Sequence, residues 1–274
     1  MPAASRQLSA IGWRVHTVSM PPVPTTVTVR VIARAGKFLG DDIGGAEVTI
    51  RDVRSGELLA HGRTHGGSGP AALMTTPLTR NQPIPVADPP TNDACRFDAT
   101  LSLETPRLVE ISAFGPLAAP QSANRVSATT WVSPGANISP DGHQRLDGFL
   151  LEIPGLMVQV LNPPAHYLPA NSDPNQSIPI RANVTMMCGC PISQTQGTPW
   201  PATDFEVAAT IVSQGVSTEI PLRYDPRAPG GAPSQFFSDR WVPGALGVYE
   251  ITVRAYQKST GNTGVDLTTV NLQA

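Results

Sequence analysis

Thr26-Val27-Thr28-Val29-Arg30-Val31-Ile32 puts a valine at every second position with a polar residue between, the period of a strand that lays one face on a core. Ala46-Glu47-Val48-Thr49-Ile50-Arg51 repeats the pattern. Arg54-Ser55-Gly56 then separates that strand from Glu57-Leu58-Leu59-Ala60, as the tight turn of a hairpin would. Further on, Phe97, Ala99, Leu101 and Leu103 alternate with polar residues. Val109, Ile111 and Ala113 continue the alternation after a Thr105-Pro106 turn, and Asn124 to Val132 supplies another strand.

The rest of the composition agrees with an all-β chain. Its 274 residues include 24 glycines and 29 prolines, well above the usual combined share of about 12%, and no segment longer than about ten residues keeps a helical apolar period free of them. Charged residues make up 15% but apolar residues 40%, so the low charge does not imply disorder, which also needs low hydrophobicity. The net charge is −2 with no run of either sign, which argues against nucleic acid and anionic membranes as partners. No stretch reaches the roughly 20 apolar residues of a membrane span. Met1 to Met20 lacks the apolar run of a secretory signal; the compartment stays open, extracytoplasmic if a signal has been removed.

After Ser133 to Gly148, which is turn-rich and unpatterned, a second set of strands begins. Leu156–Leu161, Ile178–Cys190, Phe205–Val212, Ser217–Tyr224, Gly247–Tyr256 and Val265–Leu272 are short, separated by turns, and without intervening helices. That is the pattern of a β-sandwich of immunoglobulin-like size. The expectation is therefore two β-sandwich domains in tandem: an extended arm over residues 1–25, a sandwich over 26–134, a linker over 135–151 and a second sandwich over 152–274. A polar stretch from Thr64 to Asp93 interrupts the first domain. It exceeds the 12 to 15 residues usual for a structureless loop, and its role is not legible.

The run from Thr26 to Ile32, then Gly44-Gly45-Ala46-Glu47-Val48-Thr49-Ile50-Arg51-Asp52, then Ser55-Gly56-Glu57-Leu58-Leu59-Ala60 resembles the carboxypeptidase regulatory-like, or transthyretin-like, sandwich. Phe97 to Gly115 is similar to that family's later strands, so the resemblance covers about residues 25 to 118. It implies a seven-stranded sandwich used as a spacer or adhesion module and carries no catalytic residue. The insertion from Thr64 to Asp93 departs from the pattern.

Met186-Met187-Cys188-Gly189-Cys190-Pro191 is the most unusual local sequence. Counting back through Ile178, Ile180, Ala182 and Val184 predicts Met186, Cys188 and Cys190 on the apolar face of one strand. Cysteines at i and i+2 of an extended strand have Cα atoms roughly 6.6 Å apart and parallel side chains, so a bond between them would need Gly189 to bend the chain. Three readings stand beside one another. The sulfur residues belong to the core; or Cys95 forms a disulfide with Cys188 or Cys190; or Cys188 and Cys190, with Met186 and Met187, hold Cu(I), which prefers thiolate and thioether.

Other chemistry is thin. His61 and His65 are four apart, a chelating spacing on a helix but not on a strand or glycine-rich loop; His16, His143 and His166 sit in turns or the tail. Gly66-Gly67-Ser68-Gly69 lacks the Lys-Ser/Thr ending of a phosphate loop, and no Gly-x-Ser-x-Gly, His-Glu-x-x-His or Ser-x-x-Lys occurs. Asp41, Asp42, Asp141 and Asp147 match no EF-hand spacing. The chain therefore reads as a non-catalytic structural or protein-binding module that associates with itself or another protein, with a copper-binding protein as the alternative. Arg outnumbers Lys 17 to 2, and arginine is the cation favoured at interfaces.

Overall fold

A computed structural model describes residues 21–69, 94–138, 148–168, 173–226 and 233–273. Most of the expected arm, most of the Thr64–Asp93 stretch, the middle of the expected linker, His16, His143, Asp141 and Asp147 lie outside the described residues. The protein is all-β, in two β-sandwiches. The strands are β1 (Val23–Ala33), β2 (Glu47–Asp52), β3 (Leu58–Arg63), β4 (Phe97–Leu103), β5 (Arg107–Gly115), β6 (Asn124–Val132), β7 (Phe149–Ile153), β8 (Leu156–Asn162), β9 (His166–Tyr167), β10 (Ile178–Met186), β11 (Phe205–Ser213), β12 (Val216–Tyr224), β13 (Gln235–Trp241), β14 (Gly247–Gln257) and β15 (Thr263–Leu272). Among the described residues no helix is long and apolar enough to cross a membrane.

The first sandwich lays the sheet β4-β1-β7 over the sheet β3-β2-β5-β6. Val27, Val29 and Val31 of β1 meet Val48, Ile50, Val109, Ile111 and Ala113 in a core closed to solvent, as their period-two spacing requires.

Two features differ from the sequence reading. Strand β1 is buried on both faces, not one: behind it Ile32 packs with Phe38, Ala94 and Cys95, and Arg30 is fully buried with Nη1 donating to the Ala94 carbonyl. The third strand of its sheet is β7, which runs parallel to β1 from Val29↔Phe149 to Ala33↔Ile153. Phe149 to Leu151, expected in the connection, thus complete the first sandwich.

At the β2–β3 turn Asp52 accepts backbone N–H bonds from Arg54 and Ser55 and pairs with Arg107 at 3.1 Å. The Ser55 N–H first, then the guanidinium, hold its carboxyl down at about 2.

In the second sandwich one sheet runs β8-β10-β13-β12-β11-β14-β15-β9. Strand β8 at one end lies against β14 and β15 near the other, so the sheet folds over on itself into two layers. The fold-over is at β12 and β13, which pair only at Arg223↔Phe237 and Tyr224↔Phe236. Strand β13 escapes the sequence reading because Gln235-Phe236-Phe237-Ser238-Asp239-Arg240-Trp241 does not alternate. Phe236 points into the core, while the outward Phe237 ring is covered by the guanidinium groups of Arg181 and Arg223, at 5.2 and 4.7 Å from its centroid.

The two sandwiches share a buried seam. Trp200 Nε1 donates to the Ala35 carbonyl at 2.8 Å, and Asn262 Nδ2 donates to the Arg34 carbonyl at 3.1 Å. Gly36 lies so close to the Cys188 sulfur that a Cβ on it would sit 3.1 Å away.

Candidate functional site

The sulfur cluster lies at this seam, in an arrangement the strand parity did not foresee. Strand β10 stops at Met186, and Gly189, with φ +74°, turns the chain back. The turn is closed by Gly189 N–H to the Met186 carbonyl and Met186 N–H to the Cys190 carbonyl. A left-handed φ is open to glycine at little cost. It draws the Cα atoms of Cys188 and Cys190 to 5.4 Å, and the two are joined in a disulfide.

Cys95 pairs with neither, contrary to one of the sequence readings. It is buried behind β1, its thiol donating to the Leu39 carbonyl, and loss of solvent pushes that thiol up to about 12. Met186 and Met187 are both fully buried. A Cu(I) site on Cys188, Cys190, Met186 and Met187 would need the Cys188–Cys190 bond reduced. Thiol titration checks the arrangement: no fast-reacting cysteine in the folded protein, one on unfolding without reductant, and three with it. Three thiols without reductant would show that Cys188 and Cys190 are not bonded.

The histidines do not converge. His61 Nε2 lies 3.3 Å from Glu47 and His65 Nδ1 3.2 Å from Asp41, each pair exposed, and His166 is exposed in β9. The Asp41 carboxyl is held below its usual range by the Gly66 N–H. Among the described residues no three His, Cys, Asp or Glu side chains group as a metal site would require.

The arrangement with the clearest capacity to bind was not legible in the sequence: the gap where β12 and β13 diverge. Strands β11 and β12 are joined by Gln214 and Gly215, both at positive φ (49° and 80°), a two-residue hairpin turn of the primed kind. From there β12 pairs with β11 from Val216 to Leu222, but meets β13 only at its far end. Val216 and Thr218 share the inward parity of Ile220 and Leu222 yet have no layer above them, and Val216 is 68% exposed.

The result is a cleft of about 360 Å³ lined by Ile211, Val216, Ile220, Trp241, Val242 and Tyr249 together with the polar Ser213, Gln214 and Thr218, with Arg240 at its rim. Its floor is rigid. The Trp241 and Tyr249 rings meet edge to face at 5.3 Å, and the Tyr249 hydroxyl bonds the carbonyls of Pro243 and Ala245. Val242 at the cleft wall is 51% exposed, like Val216 an apolar side chain open to solvent. Exposed apolar side chains gathered round a preformed cleft mark an interaction surface more often than singly scattered ones do. Their only signal in the sequence is a pair of valines, Val216 and Val242, outside the segments that read as strands.

No protein-family model matches the chain, and no curated protein matches it. Among solved structures it is similar to the fibronectin(III)-like modules of Clostridium thermocellum CbhA, at 12% identity and a TM-score of 0.26 over 83% of this chain and 77% of that one. It is also similar to the chicken interferon gamma receptor alpha chain, at 7% identity and 0.27 over 92% and 99%. A third likeness is to the four N-terminal Ig domains of Dscam1 isoform 6.44, at 9% identity and 0.19 over 93% and 52%. Agreement at this level transfers neither residues nor a function.

Proposed function

We propose that this chain is a non-catalytic protein-binding module: two β-sandwiches braced at a common seam, presenting the cleft between β12 and β13 as the contact face. The observation that carries the reading is the cleft over Trp241 and Tyr249, whose wall sets exposed Val216 and Val242 beside Ser213, Gln214, Thr218 and Arg240. Covering side chains of this size contributes about 1.5 to 3 kcal/mol each where burial is complete, enough for a contact face.

A photo-crosslinking residue at Val242 should capture a discrete protein from extracts of the host cell, and one at Thr129, on the first sandwich, should not. The captured protein, purified, should bind the native chain and lose at least tenfold in affinity to Val216→Asp, whose exposed position leaves stability nearly unchanged. Identical capture from both positions, or binding indifferent to Val216→Asp, would overturn the reading. Capture of the chain itself would make the module self-assembling through this face.

A further inference from the structure

We infer that the cleft receives its partner as an added strand: an extended peptide segment, apolar at alternate positions and carrying a carboxylate, that pairs with the free edge of β12. This rests on the reading of the cleft as a binding face and names what occupies it.

The two-residue hairpin fixes which backbone groups face outward. Ser213↔Val216 flanks the turn, so it is a hydrogen-bonded pair, and such pairs recur at Ile211↔Thr218 and Ala209↔Ile220. The intervening residues, Ser217, Glu219 and Pro221, turn their backbone groups away from β11. Among the described residues no backbone bond reaches them from the other side, because β13 joins only at Arg223 and Tyr224. A strand laid there would find the N–H groups of Ser217 and Glu219 and the carbonyls of all three residues. Side chains on its inward face would cover Val216 and Thr218 and descend toward Trp241 and Tyr249, so the same segment satisfies the edge and fills the cleft.

Charge selects among occupants. Arg240, at the rim of the cleft, has no ion-pair partner among the described residues, whereas Glu219 on the outer face is already held by Arg254 at 2.9 Å. An incoming carboxylate on the cleft side is therefore favoured. A second copy of β12 is disfavoured, because the antiparallel register centred on this edge sets Glu219 against Glu219 and brings two prolines that donate nothing.

The probe is a synthetic peptide of about ten residues alternating valine and threonine, with one aspartate among the valines, added to the full chain. Hydrogen exchange at the Ser217 and Glu219 amides should slow at least tenfold. A twin N-methylated at alternate amides should bind at least tenfold more weakly, and exchanging aspartate for lysine should weaken binding to the native chain but strengthen it to Arg240→Glu. Binding without protection of Ser217 and Glu219 would overturn strand addition while leaving the cleft a binding face. No binding at millimolar peptide would also overturn it, with the Val242 crosslink then deciding the broader reading. Protection that appears without peptide as the protein is concentrated would give the edge to a second copy and overturn the proposal.

Discussion

Asn262→Ala should lose about 3 to 5 kcal/mol of stability and split the unfolding of the two sandwiches into separate steps. Asn262 lies in the turn between β14 and β15 and is 1% exposed. Its Oδ1 accepts the Gly155 N–H at 3.0 Å, and its Nδ2 donates to the Arg34 carbonyl and to Gln257 Oε1, both at 3.1 Å. One amide thus joins the corner between β7 and β8, the end of β1 and its own hairpin. Alanine leaves the Gly155 N–H and the Arg34 carbonyl without these bonds, while Gln257 Oε1 keeps the Thr260 hydroxyl at 2.7 Å, and each buried polar group so orphaned costs roughly 1 to 3 kcal/mol.

Asn262→Asp tests the direction of the bonds. The carboxylate still accepts from Gly155 but sets an oxygen against the Arg34 carbonyl and Gln257 Oε1, so it should be at least as damaging at neutral pH and recover partly as acid protonates it. Urea unfolding followed by far-ultraviolet circular dichroism and by tryptophan fluorescence checks both. Coincident transitions within about 1 kcal/mol of the native protein would show that this amide does not hold the seam.

How far the sequence reached is clearest strand by strand. Where one face meets the core and the other meets water, as in β2, β4 and β14, polar residues fall between apolar ones and the spacing alone identifies the strand. The rule weakens wherever both faces are covered. Thr28 and Arg30 read as the wet face of β1, but Ile32, Phe38 and Cys95 close over that side and Arg30 is buried. Strand β7 is five residues long and gains its identity from a parallel partner more than a hundred positions earlier, at Val29 to Ala33; no local pattern records such a pairing.

The sulfur motif failed on a single residue. Parity holds through Met186, and Gly189 then adopts a conformation that strand counting does not allow, so Cys188 and Cys190 face each other rather than sharing a face. The cleft was invisible for a different reason. Ile211, Trp241 and Tyr249 come from three strands and are themselves buried, and the opening above them depends on β12 and β13 parting after two residue pairs. Asn262 likewise reads as an ordinary turn residue until its three partners are seen to come from distant segments.

Gly264→Ala should cost about 3 kcal/mol or more, and Gly264→Val more again, although valine is ordinarily the better strand former. Gly264 lies in β15 opposite Ala255, with an unremarkable backbone conformation, so the penalty is steric rather than torsional. A Cβ there would strike the Leu156 carbonyl oxygen and stand 2.9 Å from its carbon and 3.0 Å from the Leu156 Cβ. Leu156 is fully buried at the start of β8, and the obstructing atoms are chiefly backbone. Relief therefore requires β8 to move off β15, opening the contact that closes the second sandwich.

Gly261→Ala is the matched control. Gly261 has φ +75° but open space around its would-be Cβ, so alanine there meets only the left-handed backbone penalty of about 1 to 2 kcal/mol. If packing of β8 on β15 closes the sandwich, Gly264→Ala must be the worse of the two by denaturant midpoint, with an unchanged slope. The reverse order would mean that β8 yields easily and that the second sandwich is held closed elsewhere.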